Sequence, residues 1–185
     1  MSRTLKNVIA VVFSFFKFSL LKIIHGERFT FGKIQRFSPQ TQIFFLNGGK
    51  IRLGNRVRAH TGTKIRAISG GVLNIGANTT FNYNCMIVCL KRIHIGEGVE
   101  FGPNVLVYDH DHDFRAEGGL KANKYKYGDV EIGDHTWIGA NTVILRGTKI
   151  GKNCVVGAGC IISGDFPDNS NIKQKRDTTI SAIQK

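Results

Sequence analysis

The run Ile132–Ile162, IGDHTWIGANTVILRGTKIGKNCVVGAGCII, carries an aliphatic residue at every sixth position: Ile132, Ile138, Ile144, Ile150, Val156 and Ile162. A stride of six matches neither the helical period nor the plain alternation of a strand. Thr136, Thr142, Thr148, Cys154 and Cys160 each lie two residues before an aliphatic anchor, so a small side chain shares its inward direction. Gly133, Gly139, Gly151 and Gly157 follow four of the anchors, and Asn141, Asn153 and Gly159 come two residues later. These are the residue types that accept the left-handed conformation of a sharp corner. Each unit therefore reads as a short strand plus a turn. Three units, about 18 residues, close one triangular coil, and stacking the coils buries the aliphatic ladder as a parallel β-helix.

The stride extends upstream through Leu53, Ala59 and Ile65, breaks at an insertion around Gly70 and Gly71, and resumes at Ile75, Phe81 and Ile87. It slips near Lys91 and Arg92 and continues through Ile95, Phe101 and Val107. Residues 113–129 lack it and read as a loop extruded from one corner, a length that compact domains keep mainly for function. The expected layout is an apolar basic helix over 1–25, an irregular linker or cap over 26–50, the β-helix over 51–164, and a cap with a basic tail over 165–185.

Four cysteines, Cys85, Cys89, Cys154 and Cys160, form no CxxC pair, and the last two hold small inward positions of the repeat. They read as reduced core residues, which implies a cytoplasmic setting. The net charge of +13 would suit nucleic acid, yet aromatic and basic side chains are not interleaved as in a recognisable RNA- or DNA-binding module. An anionic membrane surface, or an anionic small molecule, is the more economical partner.

Residues 1–25, MSRTLKNVIAVVFSFFKFSLLKIIH, are basic and strongly apolar. The apolar run Val8–Leu21 would reach roughly 21 Å as a helix, short of a bilayer core. Arg3 and Lys6 precede it as in a signal peptide, but no small-residue cleavage site follows. Two readings remain: a helix packed on the β-helix or a neighbouring subunit, and a peripheral anchor at the inner face of a membrane, with Lys17 and Lys22 at the headgroups.

Reactive groups concentrate in YDHDHDF, Tyr108–Phe114, where the ladder breaks off. One imidazole there can act as a general base near neutral pH. Alternatively His110 and His112 are zinc ligands, which requires a third ligand from elsewhere.

The segments Phe81–Phe114 and Val130–Pro167 resemble the hexapeptide-repeat acyltransferases. They look like the galactoside and maltose O-acetyltransferases and their relatives that acetylate capsular and lipopolysaccharide sugars. FNYNCMIV, IGEGVEFGPNV, the histidine cluster, VEIGDHTWIGANTVIL and VVGAGCII follow the family order. The resemblance implies a left-handed β-helix, acetyl-CoA as donor cosubstrate, no metal, no nucleic acid, and a homotrimer with each site between two subunits. The acceptor would be a saccharide, free or glycolipid-linked. It also implies catalysis by His112, eight residues after Asn104, with His110 as the other candidate. Asn84, Tyr83 and Asp109 fall at the acceptor. Trp137, Gly139, Ala140, Ala158, Ser163, Lys175 and Arg176 fall along the coenzyme A channel.

The chain departs from the family after GAG, where Ser163 and Gly164 replace a Thr-Lys pair, and NIKQKRDTT replaces a GNPA segment. Rival readings are an N-acetyltransferase on an amino sugar, a γ-carbonic-anhydrase-like zinc enzyme and a noncatalytic β-helix scaffold.

Overall fold

The computed structural model describes residues 3–175, 177 and 179–181. Its strands are two to five residues long because the chain turns a corner after almost every aliphatic anchor. They assemble into three parallel sheets that form the faces of a triangular prism. The first face has seven strands, from Phe29–Phe31 to Asp165–Phe166; the second also has seven, from Arg36–Phe37 to Asn171–Ile172; the third has six, from Gln42–Leu46 to Ile161–Ile162. The chain thus completes six coils and two sides of a seventh.

Register within the third face shows how the ladder is built. Ile43, Ile65, Ile87, Val107, Ile144 and Ile162 lie one above the next. Ile65, Ile87, Val107 and Ile144 are fully buried, as are Phe81 and Phe101, whose rings stack at 4.7 Å. The small inward positions are buried as well. Thr63, Thr79, Thr136 and Thr142 donate their hydroxyls to carbonyls of the next coil, Asn82, Gly96, Gly151 and Gly157. Cys85 and Cys154 make the same link by thiol, to Gly102 and Pro167. A buried hydroxyl or thiol is tolerable there because each finds an acceptor.

The corners are stacked left-handed residues. Asn84, Asn104 and Asn141 have φ near 58° along the edge between the second and third faces, continued by Gly62 and Gly159. Asparagine and glycine enter this region at little steric cost, which explains their spacing in the sequence.

Residues 26–50, expected to be an irregular linker, instead supply the first coil: Phe29–Phe31, Arg36–Phe37 and Gln42–Leu46 each pair in parallel with the coil above. Their alternation is masked because phenylalanines fill the inward positions at the tapering end. At the other end, Asp165–Phe166 and Asn171–Ile172 prolong the prism into the segment expected to be a cap. The expected loop holds a ribbon: His110–His112 pairs antiparallel with Tyr125–Tyr127.

The α-helix Arg3–His25 closes the open end of the first coil. Phe18 is fully buried, edge-on to Phe29, Phe31 and Phe37. Ser14 Oγ, also buried, accepts the Phe37 N–H at 2.9 Å, and Lys17 Nζ donates to the Thr41 carbonyl at 2.6 Å. The segment Asn7–Arg28 is long and apolar enough to cross a membrane, more than the shorter apolar run suggested. Its packing on the prism lays it across the end of the coils.

Candidate active site

The ribbon leaves the prism at the edge between the third and first faces, directly after the strand Leu106–Tyr108. Alternation along it puts His110 and His112 on one side, facing Tyr125 at 5.6 and 4.6 Å between ring centroids. Arg146 Nε to Asp111 Oδ2, at 2.6 Å, ties it to the prism, and the Lys126–Asp113 ion pair links its two arms.

Asp109 anchors the ribbon's root. Fully buried, it accepts the backbone N–H groups of Leu90 at 2.9 Å and Lys91 at 2.7 Å, and contacts His110 Nδ1 at 2.9 Å. Burial alone would raise its pKa. The contacts with His110, with the two N–H groups and with the Cys89 thiol outweigh burial and hold the carboxyl below its usual range. An ionised carboxylate only accepts, so His110 carries its proton on Nδ1. Asp109, expected at the acceptor, therefore spends its oxygens on partners inside the protein. Nothing in the local run signals this, since the backbone donors at Leu90 and Lys91 lie a full coil away.

His110 has only 13% of its side chain exposed and is locked by that carboxylate, whereas His112 is exposed. Cys85 and Cys89 are buried with raised pKa values, Cys85 to about 11, mainly through desolvation, so neither is a poised nucleophile. Among the described residues no three His, Cys, Asp or Glu side chains converge as a metal-ligand set.

The other candidates cluster at the edge between the second and third faces. Tyr83 and Asn84 are both exposed there, Tyr83 with its ring 4.9 Å from that of His60. Two and three coils further on, Ala140 and Ala158 turn the same edge. Trp137 is exposed on the second face, level with Glu100 and Val155.

Gly139 is set by packing: a Cβ there would meet Ala158 N at 2.5 Å. The N–H groups of Trp137, Gly139 and Asn141 are already donated to Cys154, Val156 and Pro103. That leaves Ala140 as the residue of this corner whose N–H has no partner among the described residues. Ser163 is exposed at the end of the third face. Gln174 clasps the backbone of Ile161 through both its amide atoms, at 2.9 and 2.6 Å, and so fixes the root of the tail beside exposed Lys175. Arg176 lies outside the described residues.

Residues 129–164 match the bacterial transferase hexapeptide family, six repeats. The chain carries the repeat of that family between those residues. A galactoside O-acetyltransferase of Lactococcus lactis is 36% identical over 104 residues, covering 54% of this chain and 48% of that protein. WbbJ of Escherichia coli (strain K12) is 27% identical over 137 residues, 70% of each chain. The crystal structure of a maltose O-acetyltransferase from Clostridium difficile superposes with a TM-score of 0.50 at 26% identity, over 88% of this chain and 80% of that one. Against the galactoside enzyme the matched region thus spans about half the relative's length. The hexapeptide-repeat chain has its family likeness with galactoside and maltose O-acetyltransferases, as the motifs between Phe81 and Pro167 imply.

Proposed function

We propose that this hexapeptide-repeat chain transfers an acetyl group from acetyl-CoA to a hydroxyl of a saccharide, with His112 as general base. The observation that carries the reading is the ribbon geometry. One imidazole is fixed at the root by a buried carboxylate, and a second stands exposed two residues further out. His112 removes the hydroxyl proton as the sugar oxygen attacks the thioester carbonyl. The carbon–sulfur bond then breaks, and the departing thiolate takes the proton back from the imidazolium. Base assistance of this kind is worth about 10² to 10⁴ in rate.

Trp137, Ala140 and Ala158 offer a flank of one broad ring and two small corners for the pantetheine arm, which is amide-like and needs a narrow slot. The unpartnered Ala140 N–H is the donor that suits the developing oxyanion. Tyr83 supplies a stacking face and Asn84 a hydrogen-bonding amide for the sugar. The ribbon and this set of residues occupy opposite edges of the third face. In a homotrimer His112 of one protomer would approach the Trp137–Ala140 corner of its neighbour.

The test is coenzyme A release with hydroxyl and amino sugar acceptors. Hydroxyl sugars should be acetylated by the wild type and be turned over at least about 10²-fold more slowly by His112→Ala. Full activity of a well-folded His112→Ala variant defeats the assignment, and turnover confined to amino sugars would make the enzyme an N-acetyltransferase.

A further inference from the structure

A groove of about 800 Å³ runs from Tyr83 down the prism to the cap helix, where Ile9 and Ala10 form its floor. Its wall is basic. Arg36 and Arg58 lie directly above one another in adjacent strands of the second face, with Thr80 next in the column. Adjacent strands are only about 4.8 Å apart, so two like charges are held side by side. Neither arginine has a carboxylate partner among the described residues. The Nε of Arg58 is buried and makes no hydrogen bond. A half-buried pair of guanidiniums with an orphaned donor is unfavourable unless something anionic completes it, and planar guanidiniums suit phosphate oxygens best.

The two ends of the groove differ in kind. At the top are the rings of Tyr83 and His60. At the bottom is the helix, whose outward face is apolar throughout: Val8, Val12, Phe15, Phe16, Leu20 and Ile23 are all half or more exposed, Ile23 to 80%. Lys22 lies in the last turn of the helix, paired with Glu27 at 2.8 Å, and Lys33 borders a second, apolar hollow of about 820 Å³ between the helix and the first coil. An apolar strip of this size edged with cations is the signature of a helix lying in a membrane interface. The distance from Tyr83 to the helix is about three strand spacings, roughly 14 Å, enough for a phosphate-bearing stem between a sugar and a lipid.

We propose that the acceptor is a saccharide joined through a diphosphate to a membrane lipid, with its sugar at Tyr83, its phosphates on Arg36 and Arg58, and its lipid beside the cap helix seated in the bilayer surface. This rests on the acetyl-transfer reading for the sugar end. The phosphate and lipid ends rest on the groove alone.

The experiment uses the full chain. Binding is measured by sedimentation with phosphatidylcholine vesicles, plain or doped with farnesyl diphosphate, and with phosphatidylglycerol vesicles. Inorganic diphosphate is added as a soluble competitor. Arg36→Gln and Arg58→Gln are compared with the wild type after their melting curves confirm folding; Arg36, at the groove's outer end, serves if Arg58→Gln fails to fold. Doped vesicles should retain the wild type at least about tenfold more tightly than plain ones, and either substitution should remove that difference. Inorganic diphosphate should compete only weakly, since it lacks the lipid. Equal binding of wild type and variants to doped vesicles overturns the proposal. So does phosphatidylglycerol binding that the substitutions lower as much, because the arginines would then read any anionic headgroup.

Coenzyme A release with a water-soluble sugar, followed in the wild type, keeps the two readings apart. Its absence in the wild type, with the vesicle result intact, would remove the acetyl-transfer reading and leave the phosphate site standing.

Discussion

Asp109 is the residue on which the ribbon depends. Its carboxylate is buried, yet four donors hold its pKa below the usual value. A carboxyl with a depressed native pKa stabilises the fold above its unfolded pKa of about 3.9, and that contribution is lost as pH falls through the lower native value. Asp109→Asn should therefore cost roughly 1–3 kcal/mol at neutral pH and flatten the acid limb of the stability curve, as urea titration between acid and neutral pH can show. Activity should fall in the same variant through His110, which would lose the partner that fixes its tautomer. At this scale the sequence was legible in kind but not in assignment. The family resemblance, counted from Asn104, pointed to His112, and alternation along HDH places both imidazoles on one side. Nothing in the local run could reveal that Asp109 points inward to backbone donors of another coil. Arg36 and Arg58 were hidden for the same reason: they lie twenty-two residues apart in the chain and become neighbours only by register.

The elements divide into those whose period was visible and those whose period was obscured. Coils with threonine or cysteine before an aliphatic anchor were readable because one small and one branched side chain must alternate with a corner in every turn. The first coil was harder to read, because Ile34, at φ 57°, occupies a corner where later coils place Arg56, Asn78, Gly98, His135, Asn153 and Asn169, none of them β-branched. A β-branched residue in that region is strained. Ile34→Asn should raise stability by about 1 kcal/mol, read as a higher melting temperature. The cap helix gives the opposite case, since Phe18 is fully buried and Phe16, two residues earlier, is 67% exposed. Phe18→Ala should cost about 3–5 kcal/mol, whereas Phe16→Ala should change stability by no more than about 0.5 kcal/mol. If both cost the same in chemical denaturation, the helix does not close the prism as described.

At the scale of the molecule, the parts of the proposed site are distributed over two edges of one prism. His112 stands on the ribbon at the edge between the third and first faces, and Tyr83, Asn84 and Ala140 line the edge between the second and third. A rigid stack of coils offers no hinge to bring the edges together, because each corner is locked by stacked left-handed residues and by hydroxyl-to-carbonyl links between coils. A site made from both sets is thus most simply completed by a second copy, and rotational symmetry then repeats the seam around a closed ring. This reading makes a prediction that a site within one chain cannot meet. His112→Ala and Asn84→Ala should each be inactive alone, but protein refolded or co-expressed as an equal mixture should regain roughly a quarter of wild-type turnover, the share of seams that pair an intact His112 with an intact Asn84. In a one-chain site every copy in the mixture still carries one lesion, and no activity returns. Coenzyme A release from the mixed preparation, with size-exclusion scattering to establish the trimer, therefore separates the two arrangements.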